Sequence, residues 1–289
     1  MPRLPITKTP KVYVGGAFIR SESGRTFPLR DARGALVGHI PQCTRKDLRN
    51  AVEAAAKAGP GWARRTAYNR GQILYRLAEM IEARTTELTA ALALGEPKAQ
   101  SASLREVGAT VDRLIHYAGW ADKYEQLLGS VNPVAAPYFN FTVSEPMGIV
   151  GLIAPAESPL LALISLIAPA IVSGNSVIAL ASEPRPFAAI VLGEMLATSD
   201  LPGGVVNLLT GFHKELIPTF ATHQHLRAIS GVAPVDERTT IERGAADSIK
   251  RVKLRPSEEP FDWYGPQAQG LDCIRDLVEF KTIWHPIGA

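Results

Sequence analysis

The feature that most constrains the fold is an alternation of short apolar runs and helical stretches between residues 148 and 254. Gly148–Ala154 is an unbroken apolar run, as expected of a parallel strand that is covered on both faces. Further strands are predicted, with helices between them, at Ser176–Ala181, Val205–Thr210, Leu226–Ser230 and Ile249–Leu254. This alternation predicts right-handed βαβ units and therefore an α/β fold with a doubly wound parallel sheet.

One segment of this region is apolar enough to require a test for a membrane span. Pro159–Ser182 contains no charged residue and is long enough to cross a bilayer. Pro169 and Gly174-Asn175 interrupt it, however. A helix, a turn and a buried strand explain the same residues better, so no membrane association is expected.

The first 125 residues predict two short strands followed by helices. Lys11–Ile19 and Ala35–Ile40 have the composition of an antiparallel pair. Thr44 is a good N-cap for a helix that should run from about residue 45 to residue 57. Gly59-Pro60-Gly61 is expected to end that helix.

Composition excludes several classes of protein. Charged residues make up 20% of the chain and hydrophobic residues 46%, which indicates a globular protein. The net charge is only +3 and the basic residues are scattered, so no nucleic-acid partner is expected. Cys43 and Cys273 form no metal-ligand pattern, and no metal site is predicted. The N-terminus lacks the residue order of a signal peptide, so the cytoplasm is the expected compartment.

Two strand-like segments lie outside the βαβ region. Tyr138–Val143 alternates aromatic or branched residues with small polar ones, and Glu279–Trp284 is a second short strand near the C-terminus. Periodicity is lost between them at residues 256–270, where prolines and glycines predict a linker.

Several segments together resemble the aldehyde dehydrogenase superfamily, and they occur in the family's order. They are His116–Lys123, Glu145–Pro155, Ala168–Val177, Leu201–Gly211 and Val278–Trp284. The resemblance implies a doubly wound Rossmann-like parallel sheet with N-terminal helices and a small β oligomerisation appendage.

The resemblance also implies a division of the chain. Residues 1–127 and 145–255 would form a degenerate NAD-binding domain, and residues 128–144 and 271–289 the oligomerisation strands. Residues 256–270 would be a linker in the place where the family has its catalytic domain. Neither Cys43 nor Cys273 matches the family's nucleophile, so no catalytic residue is expected.

The supporting residues of the family site are also changed. The family's Pro-Trp-Asn, whose asparagine donates to the oxyanion, corresponds to Pro155-Ala156-Glu157, where a carboxylate would repel that charge. Leu180 replaces a lysine that bonds the adenosine ribose, although Glu183, which often contacts that ribose, is retained.

Two further motifs differ. The pyrophosphate-binding turn corresponds to Gly231–Asp236, where Pro234 removes an amide donor and Asp236 adds negative charge. The general-base motif corresponds to Arg255–Glu259, and Glu258 is expected to be a solvated linker carboxylate. Glu157, Leu180, Glu183 and Gly231 are therefore interpreted as vestigial. No cofactor is expected, and any NAD binding should be weak.

The retained features are those that family members use for assembly. Phe139, Phe141, Phe280 and Trp284 would expose apolar surface unless the strands that carry them pair with another subunit. Folding back onto the same chain is the alternative. The chain resembles the catalytically silent second half of family-16 type aldehyde dehydrogenases.

Three functions follow from the resemblance. The first is a non-catalytic subunit, or pseudoenzyme, that assembles with a full-length catalytic aldehyde dehydrogenase. The second is an NAD-binding aldehyde oxidoreductase component that contributes to a composite active site. The third is a homo-oligomeric module that binds another ligand near Glu157.

Overall fold

A seven-stranded sheet forms the centre of the computed structural model, which describes residues 9–31, 33–94 and 100–288. Those parts of the predicted domains that fall on residues 1–8, 32, 95–99 and 289 lie outside the described residues. The strands are β1 (Val12–Val14), β2 (Ala17–Ile19), β3 (Thr26–Arg30), β4 (Leu36–Pro41), β5 (Ser130–Asn132), β6 (Tyr138–Pro146), β7 (Ile149–Ile153), β8 (Ser176–Leu180), β9 (Val206–Leu209), β10 (Leu226–Ala233), β11 (Arg251–Pro256) and β12 (Val278–Pro286). The helices are α1 (Arg45–Ala63), α2 (Ala67–Ala83), α3 (Thr85–Ala93), α4 (Gln100–Trp120), α5 (Tyr124–Leu128), α6 (Leu161–Val172), α7 (Phe187–Leu196), α8 (His213–Thr222), α9 (Val235–Ala246) and α10 (Leu271–Arg275).

The strand order of the large sheet confirms the doubly wound prediction. It runs β11-β10-β7-β8-β9-β1-β2, and the pairs from β11 to β9 are parallel. The parallel part of the sheet begins with β7 in the middle. The chain then adds β8 and β9 outward on one side of β7, and afterwards β10 on the other side. The order therefore reverses between β7 and β10, which is where α/β sheets of this kind bind ligands.

Helices cover both faces of this sheet, which explains the unbroken apolar runs. Val150 and Leu152 of β7 point into a core shared with α2, α4, α6 and α7. Ile149 and Ile153 point to the opposite core, beside α1, α8 and α9. Because successive residues of a strand face opposite sides, both sets must be apolar.

The N-terminal strands differ from the predicted pairing. The segment Lys11–Ile19 is not one strand but a hairpin, in which β1 pairs with β2 and also joins the large sheet through β9. Gly15 and Gly16 form its turn with φ of 62° and 86°, which suits a two-residue hairpin connection. The strand predicted at Ala35–Ile40 is present as β4, but its partner is β3, which the sequence pattern did not reveal.

Helix α1 continues past the predicted stop at Gly59-Pro60-Gly61 to Ala63. Tertiary contacts account for this. Trp62 is 1% exposed, and its indole N–H donates to the Ile171 carbonyl at 2.8 Å. A Cβ on Gly59 would lie 3.3 Å from Ser176 Oγ, so the glycine is needed for close packing on β8. Anchoring of the last turn outweighs the low helix propensity of these three residues.

The two predicted oligomerisation strands pair with each other within one chain. β6 and β12 are antiparallel over nine residues each, and β5 completes a three-stranded sheet of order β12-β6-β5. The two strands therefore fold back on each other within the chain, and their pairing with another subunit stays a prediction. The outer edge of β12 has no strand beside it in the described chain.

The apolar segment Pro159–Ser182 contains helix α6, a turn and strand β8, as predicted. Among the described residues, no helix combines the length and the apolarity that crossing a bilayer requires.

The reversal point between β7 and β10 depends on Gly231. Its φ is +136°, and a Cβ there would lie 2.1 Å from the Ile153 carbonyl oxygen. No side chain fits, because both the backbone conformation and the space exclude a Cβ.

We expect Gly231→Ala to lower the free energy of unfolding by at least about 3 kcal/mol, since β10 must move away from β7. Urea unfolding followed by circular dichroism measures the change. The matched control is Gly108→Ala, an exposed position in α4 with no atom near the added Cβ. That control should stabilise the protein by about 0.5 to 1 kcal/mol. Equal stability of both variants would contradict the assigned packing.

Candidate functional site

A cleft of about 600 Å³ lies at the carboxyl ends of the central strands, at the reversal point between β7 and β10. Its walls come from the segments after β7, β8 and β10, from the β3 strand, and from the chain beyond β11. The doubly wound topology therefore brings together the segments that carry Glu157, Glu183 and Gly231.

Two of the predicted vestigial residues have little to offer a dinucleotide. Glu157 is exposed and lines the cleft directly after β7. Leu180 is 1% exposed and ends β8, where it pairs with Ile153 inside the sheet. An apolar side chain at that depth supplies no hydrogen-bond donor for a ribose.

The helix that follows β7 begins against a buried carboxylate. Glu106 of α4 is 1% exposed, and its Oε1 accepts from the backbone N–H groups of Leu160 and Leu161 at 2.9 and 3.3 Å. These amides are among the unpaired donors at the N-terminus of α6, which in many doubly wound proteins face a phosphate. Here the chain's own side chain fills that role.

A second carboxylate caps α8 at the edge of the cleft. Glu183 Oε2 accepts from the backbone N–H of His213 at 2.7 Å. The His213 ring also contacts Glu237 of α9, with Nδ1 and Oε2 3.2 Å apart. The Glu183 carboxylate therefore already accepts a hydrogen bond within the protein, and the Glu237 carboxylate already contacts the His213 ring.

The turn Gly231–Asp236 leads into α9, whose N-cap is Pro234. Proline has no N–H, so one anion-binding donor is absent there. The next amide, that of Val235, donates to Glu258 Oε1 at 3.3 Å. Glu258 is exposed, as the sequence analysis expected of a linker carboxylate, and it occupies the position in front of the helix where an anion would bind.

The linker is more ordered than its composition suggested. Trp263 is 5% exposed and contacts Leu161, Ala162 and Val232 in a small apolar cluster. Arg255 lies over the ring of Phe261, with 3.8 Å between the guanidinium carbon and the ring centroid. Aromatic side chains therefore secure the predicted linker at 256–270 to the end of the sheet.

A buried arginine also hydrogen-bonds to the predicted linker, residues 256–270. Arg113 of α4 is 3% exposed, and its guanidinium donates to the carbonyls of Trp263 at 2.8 Å and Ala268 at 2.6 Å. It also bonds Gln269 Oε1 at 2.9 Å and the Ser165 hydroxyl. Burial lowers the pKa of Arg113, and its N–H groups are used to fix the linker.

Glu106 and Arg113 were not identified from the sequence. Both occur within the apolar stripe of α4, beside Val107 and Leu114 respectively. A charged residue inside a helical apolar stripe is a usable signal, because charges are rarely buried without a specific partner.

Neither cysteine lines the cleft. Cys43 is fully buried, and burial raises the pKa of its thiol to about 12. Cys273 lies in a neighbouring cavity of about 410 Å³, and Phe261 and Trp263 line both this cavity and the cleft. Burial also raises the pKa of the Cys273 thiol; a hydrogen bond with Tyr117 lowers it to a smaller extent, and the charge of Asp276 raises it. Both positions favour an unreactive thiol.

The predicted interface residues divide between two faces of the small sheet. Phe280 and Trp284 are 47% and 58% exposed and share a face with Thr142, because Thr282 pairs with Thr142. Phe139 and Phe141 are on the opposite face, with ring centroids 5.3 Å apart. The four residues therefore do not form one patch. No group of His, Cys, Asp and Glu suited to a metal ion occurs in the described ranges.

Comparisons with known proteins agree with this fold. Residues 18–256 match the family model described as "Aldehyde dehydrogenase family". The mouse (Mus musculus) protein named retinal dehydrogenase 2 is 34% identical over 260 residues, which are 88% of this chain and 49% of that protein. The pig (Sus scrofa) mitochondrial aldehyde dehydrogenase is 32% identical over 279 residues, or 90% of this chain and 53% of that protein.

The solved structures give the same result. The NAD⁺ complex of an aldehyde dehydrogenase from Bacillus cereus superposes with a TM-score of 0.81 at 27% identity. The match covers 86% of this chain and 50% of that one, so the chain spans about half the length of the relatives it matches. On the family match, the identities and the shared sheet, this chain belongs to the aldehyde dehydrogenase family.

Proposed function

We propose that this chain is a non-catalytic member of its family, and that it assembles with a full-length catalytic aldehyde dehydrogenase. The observation that carries the proposal is the occupation of the backbone amides at the N-termini of the helices that follow β7, β9 and β10. The N-termini of α6, α8 and α9 are bonded to Glu106, Glu183 and Glu258 of the same chain.

A dinucleotide does not fit these residues. Its pyrophosphate needs free backbone donors and a positive local field. The cleft instead presents further carboxylates at Glu157, Glu237 and Glu259, against the cations Arg30 and Arg255. If a dinucleotide displaced Glu106, Glu183 and Glu258 from the helix N-termini, their carboxylates would lie unpaired beside its negatively charged pyrophosphate. This supports a scaffold role over the alternative of a composite NAD-dependent site.

Aldehyde oxidation in this family's manner also needs a thiolate facing the substrate. The two thiols of this chain are protonated at neutral pH, because burial raises the pKa of each. Cys43 lies in the core beneath the sheet, and Cys273 lies behind the Phe261 and Trp263 side chains. The positions of both thiols support the absence of a nucleophile in the cleft.

The small sheet supports assembly with a partner. β12 presents an unpaired edge, and apolar side chains are exposed on both faces of a sheet of three strands. Such an edge is normally covered in a stable protein. The side chains of Lys281 and Glu145 pair at 3.0 Å across the sheet, so few unpaired charges there would oppose association.

We expect no saturable NAD binding at Kd below about 1 mM, because the phosphate donors are taken. Isothermal titration calorimetry measures this directly. A full-length catalytic relative serves as the positive control under the same buffer. Saturable micromolar binding to this chain would contradict the proposal and favour the composite-site alternative.

We expect iodoacetamide at pH 8 to leave Cys43 unmodified in the folded protein. With its pKa near 12, the thiol holds its proton at pH 8, and the core excludes the reagent. Cys273 should react more slowly than a free cysteine does. Peptide mass spectrometry with and without urea provides the comparison. Rapid, stoichiometric labelling of Cys273 in native protein would indicate an activated thiol and oppose the proposal.

Co-expression with a full-length catalytic aldehyde dehydrogenase should yield a stable complex. We expect the double variant Phe280→Ser/Trp284→Ser to weaken it by at least about thirtyfold, as loss of a buried aromatic anchor does. The measurement is native mass spectrometry of the affinity-purified complex. Tyr75→Ser is the matched control, since Tyr75 is 51% exposed on α2, away from the small sheet. A chain that remains alone with the partner present would refute the assembly.

A further inference from the structure

A basic cavity lies at the edge of the large sheet opposite to the cleft. It has a volume of about 720 Å³ and is formed where β10 and β11 begin. Its lining includes Arg227, Ser248, Ile249, Lys250 and Arg251, together with Met147 and with Glu279 of β12, whose carboxylate pairs with Arg251. None of these residues belongs to the cleft.

Lys250 is the unusual member of this group. It is 9% exposed, and its ammonium donates to the Ser248 hydroxyl. Its neighbours along β11 are neutralised, because Arg251 pairs with Glu279 at 3.3 Å and Lys253 with Asp276 at 3.4 Å. In the described chain, by contrast, no ion pair involves Lys250 or Arg227. A buried cation without a counter-charge is costly, so a bound anion would stabilise the site.

The charges of neighbouring groups act on both Lys250 and His223. Burial lowers the pKa of Lys250, and the charge of Arg227 lowers it further, against an opposing effect of Asp247. Burial likewise lowers the pKa of His223, with His225, Lys250 and Arg49 acting in the same direction. The field at this edge of the sheet is therefore positive over several residues.

The turn before β11 orients these donors. Ile249 has φ of 51°, a conformation that a β-branched residue rarely adopts, and its side chain is 95% exposed. With Ile249 turned outward, Ser248 and Lys250 on either side of it meet inside the cavity. The Ser248 oxygen accepts from Lys250, and its own O–H donates to the Ala245 carbonyl at 3.5 Å. Two further N–H groups of the Lys250 ammonium are then left for a third group.

We propose that this cavity binds a phosphate group, either as inorganic phosphate or as a small phosphomonoester. The Lys250 ammonium and the Arg227 guanidinium both present donors, and a compact oxyanion with several acceptor oxygens is their complement. The exposed Ile249 and the adjacent Met147 form an apolar rim that the organic part of a phosphomonoester would contact.

The test compares inorganic phosphate and glycerol phosphate with sodium chloride at equal ionic strength, on the full chain. We expect either phosphate compound to raise the melting temperature and to bind saturably by calorimetry. Tighter binding of glycerol phosphate would identify the phosphomonoester as the source, and equal binding would identify phosphate itself. No effect of either compound would overturn the proposal.

Substitutions of the cavity residues test whether phosphate binds there. Lys250→Met should weaken phosphate binding by at least about tenfold, and Arg227→Gln by about threefold to tenfold. Without phosphate, Lys250→Met should be no less stable than the wild type, because it removes a buried unpaired charge. The exposed Lys57→Met is the charge-matched control and should bind normally. If Lys250→Met fails to fold, the phosphate affinity of the Arg227→Gln variant, at an exposed position, still tests the assignment. An unchanged affinity in the folded cavity variants would refute the assignment.

Discussion

The close approach of β10 to β7 at Gly231 is the contact on which the rest of the arrangement depends. There the backbone of β10 lies against the Ile153 carbonyl, at a distance that no Cβ would allow. This contact places two strand ends side by side at the point where the strand order reverses. The segments that carry Glu157 and Pro234 then line one cleft, although they are far apart in the sequence.

Side chains of the same chain cap the helix N-termini that follow the central strands. Helix N-termini at such a site leave N–H groups that need an acceptor. In this chain the acceptors are side chains, namely Glu106, Glu183 and Glu258. The backbone scaffold of the family is retained, and side chains of the same chain occupy its helix N-termini. This is the physical basis for proposing a structural role rather than a catalytic one.

The proposed assembly and anion sites lie away from the cleft. The small sheet has an open β12 edge and exposed aromatic side chains on both faces. At the amino ends of β10 and β11, Lys250 and Arg227 present donors that no ion pair among the described residues uses. Since neither surface uses the vestigial residues, either function would be compatible with a cleft that binds nothing.

Local patterns in the sequence were sufficient for the parallel strands and for most helices, because hydrophobic periodicity and topology rules report which faces are buried and where strands end. Glu157, Glu183 and Gly231, by contrast, were identified only through the family resemblance. The sequence did not reveal what covers those faces. The hydrogen bond from Arg113 to Trp263, the pairing of β6 with β12, and the continuation of α1 to Ala63 depend on contacts between distant residues. Only the tertiary structure decided them, because their energies arise when remote segments meet and leave no periodic signal in the chain.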